Sequence, residues 1–320
     1  MWDIRSLNFN DEKYLSHPLV IIAGISLIGI FLIGALSIFS NNYLALAKQA
    51  LKFKSTGKGA VQVTLGNDHT CARYSTGLVF CWGYNPYGGT ELSGNIYADV
   101  SAGTWYTFGL KPDGTVEFWG STLQFGGPPL PPTGLLFTKI STGSTHACGL
   151  TPSGAAYCWG DSQYGKLDVP PGIIFTQIDA GSGGTCGLVN DGSAICWGAV
   201  PPPPTGTTFR RVSVGTQLAC GLTSSGIAIC WGDVYQDPPT GVVFNDIDTG
   251  GLWLTCGVKT DGHVQCWGDS SSDSLYAPPT DVTFSQIRVE AGGHVCGITT
   301  NETVQCWGEN SHSQANDLPF

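Results

Sequence analysis

From residue 59 onward, apolar and polar positions alternate in short runs, and the runs recur. In one copy, Thr145-His146-Ala147-Cys148-Gly149-Leu150 is followed by Thr151-Pro152-Ser153-Gly154 and then by Ala155-Ala156-Tyr157-Cys158-Trp159-Gly160. Period-two alternation on either side of a Pro-x-Gly turn predicts a hairpin with a three-residue loop at 152–154. The register pairs Leu150 with Ala156 and Cys148 with Cys158. Counted outward from the turn, the cysteines fall on a non-hydrogen-bonded site, where opposite Cα atoms lie about 4.5 Å apart. A disulfide can span that distance.

The hairpin occurs seven times, each copy closing at Cys81-Trp82-Gly83, Phe118-Trp119-Gly120, Cys158-Trp159-Gly160, Cys196-Trp197-Gly198, Cys230-Trp231-Gly232, Cys266-Trp267-Gly268 or Cys306-Trp307-Gly308. An aliphatic-x-x-Gly strand end precedes each, at Val63–Gly66, Val100–Gly103, Ile140–Gly143, Ile178–Gly181, Val212–Gly215, Ile247–Gly250 and Val289–Gly292. An aromatic such as Phe137, Phe175, Phe209 or Phe244 stands three residues before the aliphatic, after a proline-rich loop. Leu150 and its counterparts share the cysteine face, and the seven tryptophans point to the other. A strand pair that is apolar on both faces needs cover on both, and neighbouring copies can supply it.

Seven such units closed radially make an all-β, seven-bladed β-propeller. The last copy lacks a following aliphatic-x-x-Gly strand, and Val61-Gln62-Val63-Thr64-Leu65-Gly66 stands alone at the start. The propeller is therefore expected to be closed by this N-terminal strand, completing the last blade.

All twelve cysteines fall into pairs ten residues apart: Cys71 with Cys81, Cys148 with Cys158, Cys186 with Cys196, Cys220 with Cys230, Cys256 with Cys266 and Cys296 with Cys306. The spacing spreads each pair across one hairpin and does not cluster ligands as a zinc site requires. Disulfides and an oxidising compartment follow, with buried reduced thiols as the alternative. The second copy replaces both cysteines at once, by Phe108 and Phe118, as a true pair requires.

The pattern G-x-x-H-x-C-x-L…G-x-x-x-C-W-G resembles the regulator-of-chromosome-condensation repeat superfamily over about residues 59–320, and is most similar to cysteine-containing bacterial members and to plant crinkly-type receptor ectodomains. The resemblance implies the propeller fold. For function it implies only a range, from exchange factors to receptor ectodomains and scaffolds. No kinase domain accompanies the repeats.

Ahead of them, a polar tail (1–17) leads into an uncharged apolar run, Pro18 to Phe39. That length suits a single transmembrane α-helix over 18–40 in contact with the lipid bilayer. A cleaved signal peptide competes, but the polar leader and the apolar run are both long for one. Ala23, Ser26, Gly29, Gly34 and Ser37 share one helical face, suited to packing on another membrane helix. Residues 41–58 read as a stalk. Its lysines alone would place the C-terminal side in the cytoplasm. Six matched cysteine pairs argue more strongly for the extracytoplasmic side.

Residues 59–320 hold 8 Lys and Arg against 21 Asp and Glu, the wrong sign for phosphate contacts, so no nucleic-acid partner is expected. Aromatics that interrupt the repeat are candidate partner-binding anchors: Trp105 and Tyr106 in one short loop, and Leu252, Trp253 and Leu254 in another. Packing over the ring opening is the competing role. His69, His146 and His294 match a structural position of the repeat and do not suggest metal. Asn301-Glu302-Thr303 is a glycosylation sequon that also replaces a turn glycine. No serine triad, zinc signature or recurring carboxylate pair stands out, and no cofactor is expected. The expectation is a membrane-anchored, non-catalytic propeller binding other protein subunits. Cell-surface adhesion or carbohydrate recognition through Trp105 and Trp253 is the alternative, and an enzyme site assembled from several blades is third.

Overall fold

The computed structural model describes residues 59–84, 95–120, 130–234, 236–251, 254–268, 275–290 and 292–316. The chain divides into two units, Met1–Thr56 and Gly57–Phe320. The anchor at 18–40, its small-residue face, the stalk, and Leu252 and Trp253 lie outside the described residues. Among the described residues no helix is long and apolar enough to cross a membrane.

Among its described residues the second unit holds seven three-stranded antiparallel sheets, each built from consecutive strands. Blade 1 holds β1 (Ala60–Leu65), β2 (His69–Tyr74) and β3 (Val79–Gly83). Blade 2 holds β4 (Asp99–Ala102), β5 (Tyr106–Leu110) and β6 (Val116–Gly120). Blade 3 holds β7 (Lys139–Thr142), β8 (His146–Leu150) and β9 (Ala156–Gly160). Blade 4 holds β10 (Phe175–Ala180), β11 (Gly184–Val189) and β12 (Ala194–Gly198). Blade 5 holds β13 (Arg211–Val214), β14 (Leu218–Leu222) and β15 (Ala228–Gly232). Blade 6 holds β16 (Phe244–Thr249), β17 (Thr255–Lys259) and β18 (Val264–Trp267). Blade 7 holds β19 (Phe284–Val289), β20 (His294–Thr299) and β21 (Val304–Gly308).

Each hairpin has the register expected from its turn. Leu150 faces Ala156 and Cys148 faces Cys158. The loop closes through Thr151 N donating to Ala155 O, and Gly154 takes φ +83°. All twelve cysteines are joined in the six expected pairs, with Cα atoms 4.0–4.1 Å apart. In blade 2, Phe108 and Phe118 occupy the same opposed positions with ring centroids 5.2 Å apart.

The two apolar faces of each blade are covered by its neighbours. Cys148 and Leu150 of blade 3 pack against Phe175, Ile178 and Trp197 of blade 4, and the same arrangement joins blades 4 and 5. Burying a Phe or Leu side chain in this way contributes about 1.5–3 kcal/mol. Within a blade, the aromatic ahead of the first strand lies between the tryptophan and a bare glycine. Phe137 sits 5.5 Å from Trp159, and a Cβ on Gly149 would meet the Phe137 ring at 2.5 Å. Blade 1 shows the converse: Ala60 stands in the aromatic position, and the facing glycine has become Ala72.

Closure differs from the expectation. β1 does not complete the last blade; it is hydrogen-bonded to β2 as the innermost strand of blade 1. The seam between blades 7 and 1 instead repeats the bonds of the internal seams. Phe175 N donates to the turn residue Gly154 O, and likewise Gly59 N and Ala60 N donate to the turn residue Glu302 O. Trp197 Nε1 donates to Lys166 O in the loop of the preceding blade, and Trp82 Nε1 donates to Asn316 O. The C-terminal segment therefore covers blade 1, so the ring closes without a shared sheet. One strand mark is also corrected. Ile287, and not Val289, is the aliphatic of blade 7, because it faces Gly297 as Ile140 faces Gly149. Glu290 then stands where other blades carry the strand-end glycine.

Candidate interaction surfaces

The innermost strand of every blade presents an edge to the ring axis, and its N–H groups need acceptors. The polar residues flanking the aliphatic supply them, each reaching to the next blade. Thr64 Oγ1 accepts from Ala102 N, Ser101 Oγ from Thr142 N, and Ser141 Oγ from Ala180 N, at 2.9–3.0 Å. Asp179 Oδ2 accepts from Val214 N at 2.7 Å, Ser213 Oγ from Thr249 N at 3.1 Å, and Asp248 Oδ2 from Val289 N at 2.8 Å. A second level does the same work two residues earlier. There Asp99 takes Ile140 N, Gln177 takes Val212 N, Asp246 takes Ile287 N, and Gln286 takes Val63 N.

The first-level residues Thr64, Ser101, Ser141, Asp179, Ser213 and Asp248, with Arg288, line an axial cavity of about 100 Å³. The charges of the two axial levels concentrate on blades 4 to 7. Arg211 Nε lies 2.9 Å from Asp246 Oδ1, and Arg288 Nη1 lies 3.6 Å from Asp246 Oδ2. Burial opposes the Arg211 charge, but Asp246, Asp248 and Asp179 outweigh it and raise its pKa. Burial, reinforced by the charge of Asp248, pushes Asp179 up to about 7. Burial also raises Asp248, against the pull of Arg288 and Arg211. No group of three or more His, Cys, Asp or Glu among the described residues is placed to hold a metal. Arg73 turns inward too, its Nε donating to Gln62 Oε1, whose amide in turn reaches Asp99.

One rim of the ring carries the short loops that follow each innermost strand, together with the start of each Trp-Gly loop: Tyr84 N donates to Asp68 O, and Asp161 N to Thr145 O. The expected anchors separate here. Tyr106 is buried, not exposed, because it takes the place that histidine fills in other blades, and its hydroxyl donates to Gly143 O at 2.7 Å. Leu254 is likewise buried, in the core shared by blades 6 and 7. Both are wedges between blades and not anchors. Trp105 is half-buried, with Nε1 3.4 Å from Asp68 Oδ2.

The histidines are wedges of the same kind. His69 Nε2 lies 2.9 Å from Thr107 Oγ1, His146 Nε2 2.8 Å from Thr185 Oγ1, and His294 Nε2 3.0 Å from Thr70 Oγ1, each reaching the following blade. Burial lowers their pKa values to about 4, 4 and 3, so all three are neutral. On the same rim, Tyr84 is 46% exposed and Tyr164 75% exposed. Tyr84 lies 4.6 Å from the His312 ring. In blade 3 the Lys166 side chain is buried, its Nζ 3.0 Å from both Thr145 Oγ1 and Asp161 Oδ2.

No single residue type marks the axial positions in the sequence. Their signal is positional, a polar residue on each side of the aliphatic in every copy, and it is blurred because Thr, Ser, Asp, Gln and Arg all serve.

Residues 60–88 and 137–166 match the family model for the regulator of chromosome condensation (RCC1) repeat. The fold is similar to that of the entire ectodomain of the Physcomitrella patens receptor kinase CR4. That likeness has a TM-score of 0.68 and 24% identity, over 79% of this chain and 74% of that one. It is similar also to the CRINKLY WD40 ectodomain of the Arabidopsis thaliana receptor kinase ACR4, with a TM-score of 0.68 and 23% identity, over 82% of this chain and 99% of that one. Prp20p from Saccharomyces cerevisiae, described with its binding to Gsp1p and histones, is similar at a TM-score of 0.62 and 15% identity, over 78% of this chain and 82% of that one. At these identities the likeness is one of fold. No curated protein sequence matches the chain.

Proposed function

We propose that this RCC1-type propeller is a membrane-anchored, non-catalytic module on the extracytoplasmic side that binds another protein within a membrane assembly. The observation that carries the reading is the use made of the axial polar groups. Asp99, Asp179, Asp246 and Asp248 each accept a backbone N–H of the next blade. Those carboxylates hold the ring together, and the exposed rim with Tyr84, Trp105 and Tyr164 is left as the surface that can meet a partner. Six disulfides support an oxidising compartment. The uncharged run at 18–40 supports anchoring. Proteins of the same fold include receptor ectodomains and a propeller described by its protein partners.

Purification of the full chain from its native membranes in mild detergent tests the reading. A stoichiometric co-purifying protein is expected, and extraction should require detergent unless residues 18–40 are deleted. A lone monomer under every condition would overturn the assembly role. Glycan binding lost on replacing Trp105 and Trp253 by alanine would favour carbohydrate recognition instead.

A further inference from the structure

At the seam between blades 1 and 2, one carboxylate stands among three rings. Asp68 Oδ2 receives the long contact from Trp105 Nε1 at 3.4 Å, and Asp68 Oδ1 lies 3.5 Å from His312 Nδ1. Tyr84 packs on His312 at 4.6 Å, and its N–H donates to Asp68 O. The Asp68 side chain keeps 18% of its surface exposed, and His312 keeps 40%. Among the described residues, His312 is the one ionisable base paired with Asp68.

The molecule shows elsewhere what this location accepts. Asp68 holds in blade 1 the loop position that Thr145 holds in blade 3, one residue before the wedge histidine, and Tyr84 holds that of Asp161, directly after Trp-Gly. In blade 3 the space between those two positions takes the ammonium of Lys166, with Nζ 3.0 Å from each. Burial works against the Asp161 charge, but Gln163 N–H and Lys166 outweigh it and hold the carboxyl below its usual range. The corresponding stretch of blade 1, residues 84–95, contains no lysine or arginine, and seven residues after Trp82 it has Gly89 where blade 3 has Lys166. Blade 1 thus has a carboxylate beside this position and no lysine or arginine in its own Trp-Gly loop.

We propose that Asp68, Trp105 and Tyr84 receive the guanidinium of an arginine side chain on a partner protein; this rests on the protein-binding reading above. In blade 3 a hydroxyl and a carboxylate fit a compact ammonium. In blade 1 a carboxylate, Asp68, stands at the hydroxyl's position and a ring, Tyr84, at the carboxylate's, and a planar, weakly hydrated guanidinium stacks on rings while hydrogen-bonding a carboxylate. The acidic propeller, with 21 Asp and Glu against 8 Lys and Arg in residues 59–320, attracts such a group over a distance.

The test titrates the full chain in detergent with Nα-acetyl-arginine methylamide while following the Trp105 indole N–H resonance, assigned through Trp105→Phe. The citrulline analogue serves as the neutral isostere. Saturation at a Kd of about 1 mM is expected for one side chain. Asp68→Asn should weaken it by about tenfold, and Asp191→Asn in the blade 4 turn should leave it unchanged. An unmoved resonance, an equal response to citrulline, or an unaltered Kd in Asp68→Asn would overturn the assignment. Co-purification from native membranes with wild type and Asp68→Asn separates the two levels. A partner lost only in the variant supports the site. A partner kept by both, with no arginine response, removes the site and leaves the protein-binding reading standing. No partner even with wild type removes that reading, while the titration still decides whether the site takes a cation.

Discussion

The glycine under each blade's aromatic ring can be tested by a double-mutant cycle at Gly149 and Phe137. Gly149→Ala places a methyl 2.5 Å from Phe137 Cδ1 and 2.8 Å from Cε1. Ordinary carbon contacts lie near 3.5–4.0 Å, so the ring would have to move by about 1 Å. It cannot move freely, because Trp159 lies 5.5 Å away on centroids and Phe137 is buried. Overpacking of this kind costs about 1–3 kcal/mol. Alanine at an ordinary strand position recovers part of that by restricting the unfolded chain, about 0.4–1 kcal/mol. Phe137→Ala alone removes a buried ring and should cost about 3–5 kcal/mol. In the double variant the clash is gone and the new methyl partly fills the vacated space. The double variant should therefore be about as stable as Phe137→Ala or slightly more so, giving a coupling of about 1–3 kcal/mol. Blade 1, with Ala60 and Ala72, already carries the double replacement. Urea unfolding of the oxidised protein, followed by tryptophan fluorescence, measures all four corners. Costs that add to within about 0.5 kcal/mol would refute the claim that ring and glycine are selected together.

Other consequences follow from single residues. Asp179→Asn keeps an oxygen for Val214 N but cannot ionise. Because burial raises the folded pKa to about 7, above about 3.9 for an unfolded Asp, wild-type stability from this group is intact below pH 4 and is lost as pH rises through 7. The variant should thus gain over wild type between pH 4 and 7, levelling above. The ceiling is about 4 kcal/mol if the site were dry, and about 1–2 kcal/mol is expected with channel water; thermal melts across pH that show no growing gap would contradict this. Glu302→Gly should stabilise by about 1 kcal/mol, since Glu302 holds φ +62° where other turns use glycine, and a loss in the same melts would contradict it. Replacing Cys148 and Cys158 together by alanine should cost about 2–3 kcal/mol for a ten-residue closure. Mass spectrometry without reductant should find no free thiol in wild type, and twelve would overturn both the staples and the compartment.

Local rules made the hairpins legible. The Pro152-Ser153-Gly154 turn fixes the register, the register places Cys148 opposite Cys158, and the paired loss of both cysteines in blade 2 marks the same position. What sequence order hid was where strands go once the ring closes. In sequence the isolated strand at Val61–Gly66 matches the missing piece of blade 7, yet it pairs with β2, because the closest hairpin strand in the chain is also its antiparallel neighbour. Trp105 and Tyr106 are adjacent in sequence, but strand alternation sends Tyr106 into the interblade wedge and leaves Trp105 on the rim. Leu254 follows Tyr106 for the same reason. In blade 7 Cys296 stands nine residues after Ile287, one more than Cys148 after Ile140, so the aliphatic-x-x-Gly pattern falls on Val289 and Glu290 takes a glycine position. The axial carboxylates carry no sequence signature because their task is to satisfy edge N–H groups. Serine, threonine and glutamine do that as well as aspartate, so no single residue type repeats.

The most direct test of the central claim is site-specific photocrosslinking in native membranes, with the reactive group placed at Tyr84 on the Trp105 rim or at Ile174 beside the Gly154 turn on the opposite rim. The account predicts a discrete protein adduct from position 84, formed on the extracytoplasmic side and weakened by Asp68→Asn. An adduct from position 174 alone, or from neither position, would contradict it.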